Sequence, residues 1–490
     1  MNKQEQMQQV NNKYLDDFKK IQELMNKTMD KYCAEFLEGK GLPNPLSEDN
    51  KNRILEQLNH CTNDEQYRKI VDGYLQSFHQ GHLYLKQNLE KKQDVFPLIV
   101  RFQDGKYIVG ASNQDNLEGM EINAINGIPI QEYVVNHTFA NGYRAFAFDK
   151  DGNLYCPEFQ INDEVCNLTM QDGIEQAIDK IPREQALNLM AQKQGYIKEN
   201  VICGKLTGSG IPYICIQSFA RDKKGKEYDR QIIENFAKKL NEEGQTDIVI
   251  DIRGNGGGSD EYFEYLGAFA DKDYSQEHEY EQLVGLNEQE VNANMSEKKI
   301  DDIESVLDKI EQNPNREIGS HVSTIPNGNS SITNRILLVD GKVFSSADKL
   351  AKTVQGSGFA TVVGTELTAG DGRGVSTYSV DTPILRDLGA SITMPSSMGL
   401  DFNDFQTKPD IIVREQDLNE NLSQIMDQVK EQKQDLDKND KPLEEENQIS
   451  EQAQELIDKS EIVLNQPQQK ENVTVEWQES NTEQTEQTNE

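Results

Sequence analysis

The stretch RILLVDGKVFSSADKLAKTVQGSGFATVVGTELTAGDGRG, Arg335 to Gly374, decides the fold. It opens on a β-branched apolar run, Ile336 to Val339, short enough for a buried strand. A turn at Gly341 follows. The small residues Ser345-Ser346-Ala347 then lead into a helical pattern that continues through Leu350 and Val354. A second apolar run, Ala360 to Val363, ends at Gly364. A strand, a tight turn and a serine at a helix start expose a hydroxyl beside N–H groups that the first helical turn cannot satisfy. Two roles for Ser345 are open on this evidence: it caps the helix, as serine ordinarily does there, or it is a nucleophile with an oxyanion site beside it.

Upstream, Thr246 to Ser259 reads TDIVIDIRGNGGGS. Ile248 to Ile252 is again a buried strand, broken by Gly254-Asn255-Gly256-Gly257-Gly258. Such a cluster permits positive φ and close backbone approach to a ligand. A phosphate-binding loop would need a Lys-Ser/Thr ending, which is missing, and no dinucleotide fingerprint fits.

Together the two segments resemble the tail-specific, or C-terminal-processing, serine peptidases. The Asp-x-Arg-Gly-Asn-x-Gly-Gly loop of that family is matched by Asp251, Arg253, Gly254, Asn255, Gly257 and Gly258. Its Ser-x-x-acid helix start is matched by Ser345 and Asp348. Its Thr-x-Gly-x-Gly loop is matched by Thr368, Gly370 and Gly372, and its closing Pro-Asp-aliphatic strand by Pro409 to Val413. The motifs occur in the family's order across Leu75 to Val413. The resemblance implies an α/β fold with a ClpP/crotonase-like βαβ core. It also implies an oxyanion hole built from Gly256 or Gly257 and the amide of Ser346.

The family's usual base is a lysine within Gly-Lys-Gly, and this chain has Gly370-Asp371-Gly372 in its place. A serine hydroxyl needs a positioned group to take its proton. The Gly81-His82 pair resembles a Gly-His element that the family carries between its leading helices and its core. Three outcomes are open. His82 is the base, with Asp371, Glu366 or Asp401 orienting the imidazole; or Lys349, one turn beyond Ser345, reaches back; or the site has lost catalysis and only binds. His79 and His82 have no third ligand nearby, so no metal is expected. Asp348 is expected to stabilise the helix start by its charge, and Asp251, Arg253 and Asn255 to shape the glycine loop.

The rest of the chain divides around this core. Residues 1–92 have helical spacing (Leu15, Phe18, Ile21 and Leu24, then Ile54, Leu55 and Leu58). Residues 93–140 read as a small β, reduced PDZ-like module with a hairpin at Asp104-Gly105. The catalytic core spans 141–414. A helix is expected at Ile174 to Gln192, and a polar insertion or lid at 276–330 that carries a short helix around Ile300 to Ile310. Asp149 to Asn153 imitates a calcium loop, but Leu154 and Gln160 stand where glycine and a bidentate glutamate are required, so a turn is expected. From 415 to 490 the composition is acidic and Gln/Glu-rich, which predicts a disordered tail with transient helix around Leu418 to Leu436; the chain beyond Val413 holds about 14 of the 35 excess negative charges.

At 490 residues and a formal charge of -35, the chain is a poor partner for nucleic acid or anionic membranes. Met1 to Lys31 has no apolar leader and no run is long enough to span a bilayer, which predicts a cytoplasmic protein. Six scattered cysteines predict buried thiols. The expected function is a serine peptidase acting on protein or peptide substrates without a cofactor. The alternative is an inactive, peptide-binding scaffold of the same fold, and the sequence leaves the oligomeric state open.

Overall fold

Strands with apolar residues on both faces must be covered on both sides, and the runs at Ile248 and Ile336 do this by lying side by side in a parallel sheet. The computed structural model describes residues 3–87, 94–103, 105–136, 147–148, 154–161, 163–193, 199–206, 208–283, 300–370, 372, 377–400, 405–414, 418 and 422–431. Its central sheet has six strands, hydrogen-bonded in chain order: β1 (Val201–Lys205), β2 (Pro212–Ile216), β3 (Asp247–Asp251), β4 (Asn334–Val339), β5 (Thr361–Gly364) and β6 (Ile411–Ile412). β1 is antiparallel to β2, and every later pair is parallel. Helix α1 (Lys223–Glu242) leads from β2 to β3, and α2 (Ser346–Ser357) leads from β4 to β5. The architecture is mixed α/β.

The alternation along each strand decides which helices it meets. Ile248, Ile250, Leu337 and Val362 pack with Ile233, Ala237 and Leu240 of α1 and with Leu350, Ala351 and Val354 of α2. Val249, Ile336, Leu338 and Val363 face the other way, onto Leu418, Leu422, Ile425, Met426 and Val429. From sequence, everything after 414 is expected as a solvated tail, with only transient helix around Leu418 to Leu436. The structure corrects this: residues 422–431 are helical and their apolar stripe covers the second face of the sheet. Lys430 Nζ reaches Asp247 Oδ2 at 2.6 Å. The acidic composition around that one-sided stripe hid it. The remainder of the expected tail, 432–490, lies outside the described residues, as does the turn expected at Asp149 to Asn153.

Preceding the sheet, helices Lys3–Thr28, Glu48–Asn59 and Asp64–Gln76 form the N-terminal region. Ser47 and Asn63 cap the second and third by accepting backbone N–H bonds from Asn50 and Gln66. Buried Asp17 ties the region to the body, with Oδ2 accepting from Tyr67 at 2.6 Å and from Thr382 at 2.5 Å. After the third helix, Tyr84–Gln87 pairs with Ala390–Pro395, so the turn between helix and strand is fixed at both ends.

Two other boundaries move. The hairpin about Gly105 joins Leu98–Gln103 to Lys106–Ser112, but Ile122–Ile125 pairs with Asn167–Met170, beyond the limit of 140. Glu175–Ala177 is a third strand there, so the helix expected from Ile174 starts at Arg183. The segment expected as a lid is instead partly core. Tyr274–Gln282 and Ile318–Ile325 form an antiparallel pair, and the short helix expected there, at Ile303–Gln312, buries Ile303, Val306, Leu307 and Ile310. Lys27 Nζ meets Glu311 Oε1 at 3.4 Å across from the first helix. Among the described residues, no helix is long and apolar enough to cross a membrane.

Candidate active site

Neighbouring parallel strands deliver their following loops to the same end of a sheet. β3 and β4 are such neighbours, so the glycine loop after Asp251 and the serine turn after Val339 emerge side by side. Asp251 is 3% exposed and braces the first loop. Its carboxylate accepts from Arg253 N at 2.9 Å, Arg253 Nη2 at 2.6 Å and Tyr213 Oη at 2.7 Å. Burial beside that carboxylate pushes the Tyr213 hydroxyl pKa well above its ordinary value. Asp340, at the start of the serine turn, accepts the Gly254 N–H at 3.0 Å and the Lys342 N–H at 3.0 Å, joining the two loops.

The contact between the loops is close. A Cβ at Gly257, where φ is +91°, would stand 2.6 Å from Phe344 O and 2.9 Å from both Ser345 Cβ and Ser346 N. Only a residue without a side chain allows this approach. Phe344 N–H donates to Asn255 O at 3.2 Å, and Ser345 N–H donates to Gly370 O at 3.0 Å. The nucleophile candidate is thus held between the glycine loop and the loop after β5.

Ser345 itself sits at φ 56°, ψ -128°. A non-glycine residue there costs roughly 1–3 kcal/mol and persists only when its surroundings impose it. Its side chain makes no capping hydrogen bond, so the helix-cap role is not the one it plays. Its Oγ lies 3.0 Å from His82 Nε2. His82 arrives on the turn after Asp64–Gln76, where Gln80 Oε1 accepts its backbone N–H at 2.5 Å. The imidazole, 7% exposed, lies against the Phe344 ring, with centroids 4.7 Å apart and planes 27° from parallel.

The other expected participants fall in several places. Lys349 Nζ is 2.7 Å from Asp260 Oδ2, in an ion pair on the glycine-loop side. Glu366 Oε1 accepts the Gly341 N–H at 3.3 Å, and its carboxylate, with burial, keeps the Tyr155 hydroxyl protonated. Asp371 and Asp401 lie outside the described residues. Of the oxyanion candidates, Gly257 donates its N–H to Asn255 Oδ1 at 2.9 Å, while Asn255 Nδ2 donates to Ile216 O at 3.0 Å. Gly256 is exposed in the same loop, and Ser346 is the first residue of α2. Asp348 is fully buried and does more than offset a helix dipole. It accepts from Thr368 Oγ1 at 2.5 Å, Thr407 Oγ1 at 2.6 Å, Thr407 N at 3.2 Å and Gly372 N at 3.2 Å. It clasps two loops to the helix.

Sequence reasoning missed the Asp340 bridge, the Asp260 pairing of Lys349 and the Phe344–His82 stack. Only Asp340 left a signal, an Asp-Gly turn directly after an apolar strand. Among the described residues, no group of three His, Cys, Asp or Glu side chains could hold a metal ion.

Residues 210–413 match the model of peptidase family S41. No curated protein sequence matches the chain. Among solved structures, mature CPAF complexed with lactacystin is similar over 88% of this chain and 100% of its own, with TM-score 0.58 and 14% identity. A CPAF mutant is similar over 89% and 99%, also with TM-score 0.58 and 14% identity. At that identity the likeness is one of fold.

Proposed function

We propose, from the match of residues 210–413 to the model of peptidase family S41, that this chain is a serine-type peptidase hydrolysing peptide bonds of protein or peptide substrates. The observation that carries this reading is the 3.0 Å approach of His82 Nε2 to the Oγ of a serine held at φ 56°. Such an elbow presents the hydroxyl away from its own helix, toward a bound acyl group.

In this mechanism Ser345 Oγ attacks the scissile carbonyl carbon as His82 Nε2 takes its proton. The developing oxyanion receives the Ser346 N–H and an N–H of the glycine loop. Gly256 or Gly257, in the loop that Asn255 braces, is the glycine assigned to that role. The imidazolium then gives its proton to the leaving amine, leaving an acyl ester on Ser345. A water enters, His82 takes its proton as the water oxygen attacks the ester carbon, and the imidazolium returns a proton to Ser345 Oγ as the free acid departs. We assign orientation of the imidazole to Asp371, whose chain neighbours Gly370 and Gly372 bond to Ser345 and Asp348. The parallel β2-β3-β4-β5-β6 order, with the site at the strands' carboxyl ends, supports a ClpP/crotonase-like core.

A fluorophosphonate probe tests the proposal. It should label the wild-type chain, fail on Ser345→Ala and be slowed severely by His82→Ala. No labelling of the wild type at any pH would leave the peptide-binding scaffold as the function.

A further inference from the structure

Ile318–Ile325 forms one edge of a three-stranded sheet, with Tyr274–Gln282 in the middle and Ser397–Gly399 on the far side. In an antiparallel pair only every second residue bonds across, and the residues between turn their N–H and C=O groups outward. Gln282 N–H donates to Glu317 O at 2.8 Å, so Glu317, Gly319, His321, Ser323 and Ile325 face the middle strand. On that strand's other side Leu283 N–H donates to Ser396 O at 2.8 Å, as the same alternation requires. Ile318, Ser320, Val322 and Thr324 therefore turn their backbone groups to the open edge. Among the described residues, nothing bonds those groups there. The four side chains are exposed as well, Ile318 at 67% and Val322 at 62%. Edges are ordinarily blunted by charge, proline or a bulge. This one has none of the three: IGSHVSTI lacks Asp, Glu, Lys, Arg and Pro, and its register runs unbroken.

We propose that this edge is a docking surface for the same strand of a second copy, paired antiparallel about a two-fold axis at Ser320. The proposal is independent of the roles assigned to Ser345 and His82. On that axis Ser320 faces Ser320 of the second copy, Ile318 faces its Val322, and Val322 faces its Ile318. Each of these residues turns its N–H and C=O to the edge, so each pair closes two hydrogen bonds. Four apolar side chains then meet on one face. Glu277 and Glu279, which lie opposite Val322 and Ser320 on the middle strand, form a charged rim outside them. Other registers match less well. An axis at His321 sets Ile318 against Thr324 and Val322 against Ser320, and an axis at Val322 sets Ile318 against Pro326, which has no N–H to give. The strand is thus its own complement about Ser320, which a two-fold interface demands and a bound peptide does not.

Sedimentation velocity of the full chain should show a monomer–dimer equilibrium. One strand pair is small beside the roughly 1,600 Å² of a standard interface, so a dissociation constant of about 1–100 μM is expected. Val322→Lys, at an exposed position, should melt like wild type and raise that constant about tenfold or more. Ile318→Lys is the second such variant, should the first lower the melting temperature. Cysteines read the register. Ser320→Cys brings two thiols together on the axis, at a Cα separation of about 5.5 Å, and should link two copies under mild oxidation. Thr324→Cys faces Arg316 of the second copy and should not. A chain that stays monomeric up to about 200 μM, twice the weakest constant expected, overturns the proposal. So does a dimer that both lysine variants leave intact, or one linked by Thr324→Cys and not by Ser320→Cys. A monomer in which Val322→Lys slows casein cleavage but not fluorophosphonate labelling would give the edge to substrate instead.

Discussion

Lys349 Nζ stands 2.7 Å from Asp260 Oδ2, pairing the helix that carries Ser345 with the residue that closes the glycine loop. The lysine is 13% exposed and the aspartate 52%. A half-exposed pair of this kind contributes up to about 1 kcal/mol. Lys349→Met should therefore slow Ser345 labelling by about two- to fivefold. Complete loss of labelling in a folded Lys349→Met would instead return the lysine to the role of base.

Gly257→Ala addresses the contact between the two loops. The new methyl would meet Phe344 O at 2.6 Å and the Ser346 amide at 2.9 Å, at a φ of +91° that alanine resists. Backbone cannot yield as a side-chain tip can, so the loop must move away from Ser345. Labelling should fall about a hundredfold or more, with a lower melting temperature. A variant that labels normally would mean that the close approach is not needed for reactivity.

Asp348 supplies acceptors to four donors from two loops while fully buried. Alanine leaves those donors without an acceptor, which should cost roughly 3–5 kcal/mol of stability in urea unfolding. Asparagine retains one oxygen and should cost roughly 1–3 kcal/mol. A near-neutral alanine variant would show that the clasp contributes little to holding residues 368–372 and 405–407.

The two strand-and-turn segments were legible because a parallel sheet covered on both faces leaves uninterrupted apolar runs such as Ile248 to Ile252. The glycine cluster and the small residues after Phe344 then marked where those runs stop. The positive φ of Ser345 left no mark, since conformation there is imposed by Asn255 and Gly370 and not by the local sequence. His82 could be named only as one of several bases, because 263 positions separate it from Ser345 and no periodicity spans that gap. Lys349 illustrates the limit of helical spacing. Spacing brings it one turn from Ser345, but its long side chain finds Asp260. The helix at 422–431 was legible as transient helix, but its docking was hidden by composition: one apolar stripe among acids and glutamines reads as solvated until the uncovered face of the sheet is seen.

His321 gives the chain a distinct acid sensitivity. Its ring packs against His278 at 5.2 Å, and its Nε2 is buried without a hydrogen-bond partner among the described residues. Burial, helped by the nearby Lys349 ammonium and opposed by Asp260, pushes its pKa down from 6.5 to about 4. Above the higher value the imidazole is neutral whether the chain is folded or not, so its contribution to stability is fully present there. As pH falls from 6.5 towards about 4, the unfolded chain binds a proton that the folded chain refuses, and stability is lost through that window. His321→Gln removes the proton site from both states. The drop in urea midpoint between about pH 7 and pH 4.5 should therefore be smaller in His321→Gln than in wild type, because the carboxylates common to both contribute equally. Parallel curves for the two proteins would mean that His321 accepts its proton in the folded state at an ordinary pH.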